Sequence, residues 1–119
     1  MRSSVIVDQE AMEWSAMTEG PSPGIVAKVF SVDEETGALA GIAKLPAGSY
    51  EPRHGHPCSC DILILEGKMI NTETGQKMSK GMYWHIPEGE LHGPLRVSED
   101  EDCIIFIVID GHLNPMIEP

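Results

Sequence analysis

At 119 residues, with a formal net charge of −11 and a pI near 4.7, the chain is long enough for one domain with its own core. It is too acidic to present the basic face that nucleic-acid phosphates or anionic membranes require. No apolar run approaches the roughly 20 residues of a membrane span. The stretch from Met1 to Trp14 is acidic and lacks the apolar centre of a signal peptide, so a cytoplasmic location is expected. Three cysteines, Cys58, Cys60 and Cys103, are too few for a disulfide scaffold and are expected as reduced thiols.

Taken in chain order, residues 1–23 read as an N-terminal arm and residues 24–119 as the domain proper. The arm ends in Pro21-Ser22-Pro23-Gly24, which continues neither a helix nor a ladder strand. Trp14 with Met12 or Met17 is expected against the outside of the domain, as a dimer contact or as a covering loop. Ile25 to Val32 is rich in β-branched residues and predicts a strand. Asp33 to Gly37 is a turn, and Ala38 to Leu45 closes the hairpin. After Pro46-Ala47-Gly48 the chain is extended from Ser49 to His56. Ile62 to Leu65 predicts a short apolar strand. Lys68 to Asn71 and Gln76 to Met78 flank the turn Thr72-Glu73-Thr74-Gly75. Met82 to Ile86 and Leu95 to Val97 follow, separated by a loop through Pro87-Glu88-Gly89. Ser98 to Asp102 is an acidic loop. Cys103 to Asp110, CIIFIVID, is the strongest strand signal, and the tail beyond it reads as irregular. About eight or nine short strands with regular turn signals and no helix predict an all-β sandwich or barrel.

Two stretches carry chemistry. In Gly48 to Gly67, GSYEPRHGHPCSCDILILEG, His54 and His56 stand two apart. On a strand they share a face, a spacing suited to two ligands of one metal. In Gly81 to Arg96, GMYWHIPEGELHGPLR, His92 supplies a partner. Together the stretches resemble the two motifs of the cupin superfamily, G-x5-H-x-H-x(3,4)-E-x6-G and G-x5-P-x-G-x2-H-x3-N. Gly48, His54, His56 and Gly67 fit the first, and Gly81, Pro87, Gly89 and His92 fit the second. Arg96 stands where the family has Asn.

The resemblance implies a single-domain double-stranded β-helix, a jelly-roll barrel, with a divalent metal held by His54, His56 and His92. The fourth ligand is normally Glu. Leaving the usual six residues between it and Gly67 puts that position at Cys60, and leaving four after His56 puts it at Asp61. An ungapped match to ChrR-type cupin domains, H-x-H-P-G-G-E-E-I-L, favours Cys60. A carboxylate there would suit Fe, Mn or Zn, a thiolate would favour Zn, and three histidines alone would leave positions open. For Cys58 and Cys60 the alternative is small thiols with no role. His85, two before Pro87, is a candidate cavity or acid/base residue, set against a plain strand residue. Arg96 is a candidate for binding a substrate carboxylate, set against a salt bridge with the acidic loop.

The resemblance extends to small dioxygenases that cleave carbon–carbon bonds in acetylacetone and 2,4'-dihydroxyacetophenone. The tail, Asp110-Gly111-His112-Leu113-Asn114, looks like the G-P-L-N ending of the acetylacetone enzyme. It implies an Fe(II)-type dioxygenase acting on a small diketone- or hydroxyketone-like substrate, and a homodimer. One alternative is a non-catalytic zinc-binding sensor module, which the ChrR-type match supports. Another is a sugar isomerase or lyase using His85 as acid/base.

Overall fold

The computed structural model describes residues 3–17 and 24–119. Its strands form two antiparallel sheets. The larger sheet runs, in spatial order, β1 (Ser15–Ala16), β2 (Val26–Val32), β3 (Leu39–Leu45), β10 (Cys103–Ile109), β5 (Cys60–Glu66) and β8 (Tyr83–Ile86). The smaller runs β4 (Tyr50–Glu51), β9 (Leu95–Val97), β6 (Lys68–Asn71) and β7 (Lys77–Ser79). This is the all-β jelly-roll architecture expected of the chain. The one helical element among the described residues is a short 3-10 turn, Gln9–Ala11, capped by the Asp8 carboxylate on the Glu10 N–H.

The segment with the strongest strand signal occupies the centre of the larger sheet. β10 pairs along its whole length with β3 and also with β5. Alternation along the strand turns Cys103, Ile105 and Ile109 into the core and leaves Val108 outside. Cys60, Ile62 and Ile64 of β5 and Ala43 and Leu45 of β3 join them from the same face. Met69, Met78, Leu95 and Val97 come from the opposing sheet, and all lie in one buried cluster. Crossing from one sheet to the other needs a tight corner at Gly67, where φ is +81° and a Cβ would sit 2.4 Å from the Asp102 carbonyl oxygen.

The arm packs as a strap. Trp14 lies over the ammonium groups of Lys28 and Lys44, 4.7 and 4.4 Å from the ring centre. Lys28, buried at 8% exposure, also donates to the Gln9 carbonyl at 2.8 Å. Met17 turns the other way and packs against the core. Of the extended stretch Ser49 to His56, Tyr50–Glu51 alone is laddered, because Pro52 has no N–H to continue the pairing. The tail returns to this stretch, where Ile117 forms an isolated bridge with Gly55.

Ile64, 2% exposed on the inner face of β5, tests the core assignment. Ile64→Ala is expected to cost about 2–5 kcal/mol of unfolding free energy. Urea denaturation should show a lower midpoint at unchanged slope; a shift within error would place this face of β5 outside the core.

Candidate metal centre

His54, His56 and His92 meet inside the barrel, at 4%, 7% and 8% exposure, with one ligating atom from each within 4.8 Å of the others. The backbone sets this up. His54 and His92 pair directly across an antiparallel bridge, His54 N–H to His92 O at 3.0 Å and His92 N–H to His54 O at 2.7 Å. The loop of the second motif is fastened to the first by Gly89, whose N–H donates to the His56 carbonyl at 2.8 Å. Gly89 has φ +76°, and the Glu90 N–H closes a turn onto Pro87 O at 3.2 Å. The Pro-x-Gly-x2-His spacing is therefore the length of a turn that delivers His92 opposite His54. Gly55 makes room for it: a Cβ there would stand 2.9 Å from the Glu90 carbonyl oxygen.

The hydrogen bonds of the rings decide what they offer. His54 Nδ1 lies 2.7 Å from the Pro52 carbonyl oxygen, and His56 Nδ1 lies 2.9 Å from that of Leu113. A carbonyl accepts only, so both Nδ1 atoms carry the proton and both Nε2 atoms of neutral rings present lone pairs. Those two Nε2 atoms face each other at 3.1 Å. Burial drives the His56 pKa below its ordinary 6.5, against the Leu113 carbonyl, and its histidine neighbours add to the depression. Neutral rings with opposed lone pairs are unsatisfied unless a cation stands among them. His92 adds a buried Nδ1 with no hydrogen-bond partner, an omission that ordinarily costs about 1–3 kcal/mol. Ligands at about 2.1 Å from one cation stand roughly 3.0–3.4 Å apart, the span between octahedral and tetrahedral edges. The donor set fits a divalent metal.

Glu51 also comes to the cluster, and sequence reasoning missed it. Its Oε1 lies 3.1 Å from His54 Nε2 and 3.6 Å from His92 Nε2, with the carboxylate 13% exposed. The one signal was its place three residues before His54, inside the first motif.

The remaining residues singled out in the sequence lie elsewhere. Cys60 opens β5 facing inward. Its free thiol is hydrogen-bonded to that of Cys58 and is pushed up to about 12, chiefly by burial. The loop carrying Cys58 is held by Asp110, which accepts from Ser59 N–H and Oγ, each at 2.8 Å. Asp61 points outward. It accepts a hydrogen bond from Tyr83 Oη and stands 2.7 Å from His85 Nδ1, both on β8, and these contacts lower its pKa. Strand alternation thus sets His85 on the outer surface and turns Trp84 inward, edge-on to His92 at 5.5 Å. Arg96 lies outside, over the Tyr50 ring at 4.9 Å, and donates to Gly48 O at 3.0 Å.

Two cavities flank the cluster. One of about 550 Å³ is bounded by His92, Trp84, Met78, Leu91, Arg53 and Asn71. Another of about 470 Å³ is lined by Met17, Leu39, Ile107, Ile109 and Leu113, whose carbonyl holds His56. Only the first has one of the three histidines in its wall.

Comparison with known proteins agrees with this architecture. The model of the ChrR cupin-like domain matches residues 2–113. A curated relative, the DNA damage-repair/toleration protein DRT102 of Arabidopsis thaliana, is 34% identical over 83 residues, 66% of this chain; the match spans 26% of that protein's length. The acetylacetone dioxygenase of Acinetobacter johnsonii superposes with a TM-score of 0.67 at 19% identity, covering 98% of this chain and 85% of the other. The anti-sigma factor ChrR, solved in complex with SigE of Rhodobacter sphaeroides, gives 0.65 at 23% identity, covering 87% and 52%. At these identities the solved structures share the fold.

Two outcomes follow from the geometry. Gly55→Ala should push the Glu90 loop away and weaken zinc binding by about tenfold or more, read by competition with a chromophoric chelator. The buried thiols should resist iodoacetamide at pH 8 in the native protein and react once it is denatured. Cys60 and Cys103 sit at about 12 and about 11, above an ordinary 9.0. The folded state holds these protons more tightly than the unfolded chain. The associated stability is present below pH 9 and is lost as the pH rises toward 11–12.

Proposed function

Because this chain belongs to the ChrR cupin-like domain family, we propose that it is a metal-dependent dioxygenase for a small diketone- or hydroxyketone-like substrate, with His54, His56 and His92 holding the metal. The observation that carries this reading is the facing pair of Nε2 lone pairs beside an open cavity that has His92 in its wall. Imidazole nitrogen suits Fe(II), and a cation held there beside an open cavity would be reachable by a substrate carbonyl or by O2. The likeness to an acetylacetone dioxygenase is consistent with that choice.

When bound, the cation supplies Lewis-acid polarisation of a carbonyl and a template that brings two reactants together. The protein's own contribution is positional. The Pro52 and Leu113 carbonyls hold the proton on Nδ1 of His54 and His56, so that Nε2 stays a donor of electrons. The Trp84 ring stands edge-on to His92 and forms an apolar wall. At about 550 Å³ the cavity falls in the range that takes a small molecule. Met78, Leu91 and Leu95 line it with apolar surface, and Arg53 and Asn71 supply polar groups for orientation. Fold alone does not select this reaction, so the reading rests on the site.

A second reading, a zinc-binding sensor module, is favoured by the family itself and by the adjacent free buried thiols of Cys58 and Cys60. In solution we expect a homodimer. Its support is the exposed apolar side chains Leu63 and Val108 on the outer face of the larger sheet, with Val5 and Ile6 of the arm.

The protein purified without a tag or chelator and loaded with Fe(II) is expected to consume O2 when given a β-diketone or an α-hydroxyketone. No uptake across such a panel, together with stoichiometric zinc, would move the function to sensing. His54→Ala and His92→Ala should each abolish stoichiometric metal while the barrel stays folded. For the wild type, metal at 100-fold above its Kd should stabilise by about 2.7 kcal/mol. That increment, seen as a raised melting temperature, should vanish in both variants.

A further inference from the structure

Resting on the reading of the three histidines as one metal site, we propose that Glu51 is the fourth protein ligand, in the place that the sequence motif leaves to Cys60 or Asp61. The first ground is geometric. Glu51 Oε1 stands 3.1 Å from His54 Nε2 and 3.6 Å from His92 Nε2. The His54 and His56 Nε2 atoms are 3.1 Å apart. Neighbouring ligands on one cation are separated by about 3.0–3.4 Å. The carboxylate oxygen falls within that span of His54 Nε2 and just beyond it from His92 Nε2, at the edge of the three ring donors that lie within 4.8 Å of one another.

The second ground is hydrogen-bond accounting. With Nδ1 of His54 committed to the Pro52 carbonyl, its Nε2 offers a lone pair to Glu51, and the carboxylate offers another in return. The two atoms stand 3.1 Å apart where the side chains are 5% and 13% exposed, so a proton or a cation has to stand between them. One cation shared by the carboxylate and the rings answers both.

The third ground is charge. Three neutral imidazoles leave a dication with its full charge in a buried site, where unpaired charge is costly. One carboxylate halves it. Neither alternative from the motif is placed to do so: the Cys60 thiol is occupied with Cys58, and Asp61 is bonded on the outer surface to Tyr83 and His85.

The fold holds Glu51 in this place. Tyr50 and Glu51 pair with Arg96 and Leu95 of β9, the strand that follows His92. Alternation then sends Tyr50 outward, under the Arg96 guanidinium, and Glu51 inward. Arg96 also bonds the Gly48 carbonyl. The residue at the motif's Asn position thereby clamps the segment that carries Glu51, acting as a positioning residue through backbone and ring.

Cobalt(II) gives a test that does not depend on turnover. The wild type, Glu51→Gln, Cys60→Ser and Asp61→Asn would be titrated with cobalt(II) against a chromophoric chelator, and their visible spectra recorded. Glu51→Gln is expected to weaken cobalt by about tenfold or more and to shift the d–d bands, while the other two variants stay within about twofold. Cobalt-edge X-ray absorption of the wild type, which requires no variant to fold, should show nitrogen and oxygen neighbours and no sulfur. Unchanged affinity and bands in Glu51→Gln, or a sulfur neighbour abolished by Cys60→Ser, would overturn the Glu51 assignment. If His54→Ala still lost the metal in that case, the three-histidine site would stand without Glu51. A wild type that takes up no cobalt would overturn both.

Discussion

Two backbone carbonyls decide what the histidine cluster is. Pro52 O and Leu113 O each take the Nδ1 proton of one ring, and the opposite nitrogens are thereby left as electron pairs pointing at one another. Without those carbonyls the same rings could swap tautomers and hydrogen bond to each other, and the cluster would be an ordinary polar patch in a β-barrel. With them, the Nε2 lone pairs of His54 and His56 are buried against each other with no donor between them. Burial deepens the effect by disfavouring the imidazolium form of His56, the simplest way of supplying a proton.

The rest of the barrel serves to bring those groups into register from opposite parts of the chain. The first motif brings His54 and His56, the second brings His92, and the two are joined by a bridge pair and by the Gly89 N–H on the His56 carbonyl. β10 matters at one remove. By spanning β3 and β5 it sets the sheet from which the inner wall of the site rises. Trp84 belongs to that wall and is fixed by strand alternation alone, since Ile86 faces the core and Tyr83 and His85 face out. The chemistry available to the site is governed by the anion that joins the rings and the cavity that opens beside them, not by the barrel they share with many other proteins.

Much of this was legible in the sequence for physical reasons. Turns need particular residues, and Gly37, Gly75 and Gly89 all take positive φ where the turns were read. The fixed spacings around His54, His56 and His92 are turn and bridge lengths, so they survive translation into geometry. The register of Cys60 and Asp61 was not legible, because Ile62 to Leu65 is apolar on both faces. The structure supplies the reason: the outer face carrying Leu63 and Leu65 forms an apolar hollow with Trp14 and Phe106. The pairing of Cys60 with Ile109 and Ile86 sets the register that local pattern left open. Glu51 was invisible for a different reason. A glutamate in a short extended stretch carries no pattern, and its direction depends on pairing with β9, far along the chain.

The bond from His56 to Leu113 has a consequence for how the site comes into being. A chain is made from its N-terminus, so His54, His56 and His92 all leave the ribosome before the carbonyl that orients His56. Until Leu113 docks, that ring is free to present either nitrogen. The segment carrying Ile117, which bridges Gly55 between the two histidines, arrives later still. The orientation of His56 therefore depends on a carbonyl 57 residues along the chain, just past β10, so the strand that joins β3 to β5 also carries the group that fixes the ring.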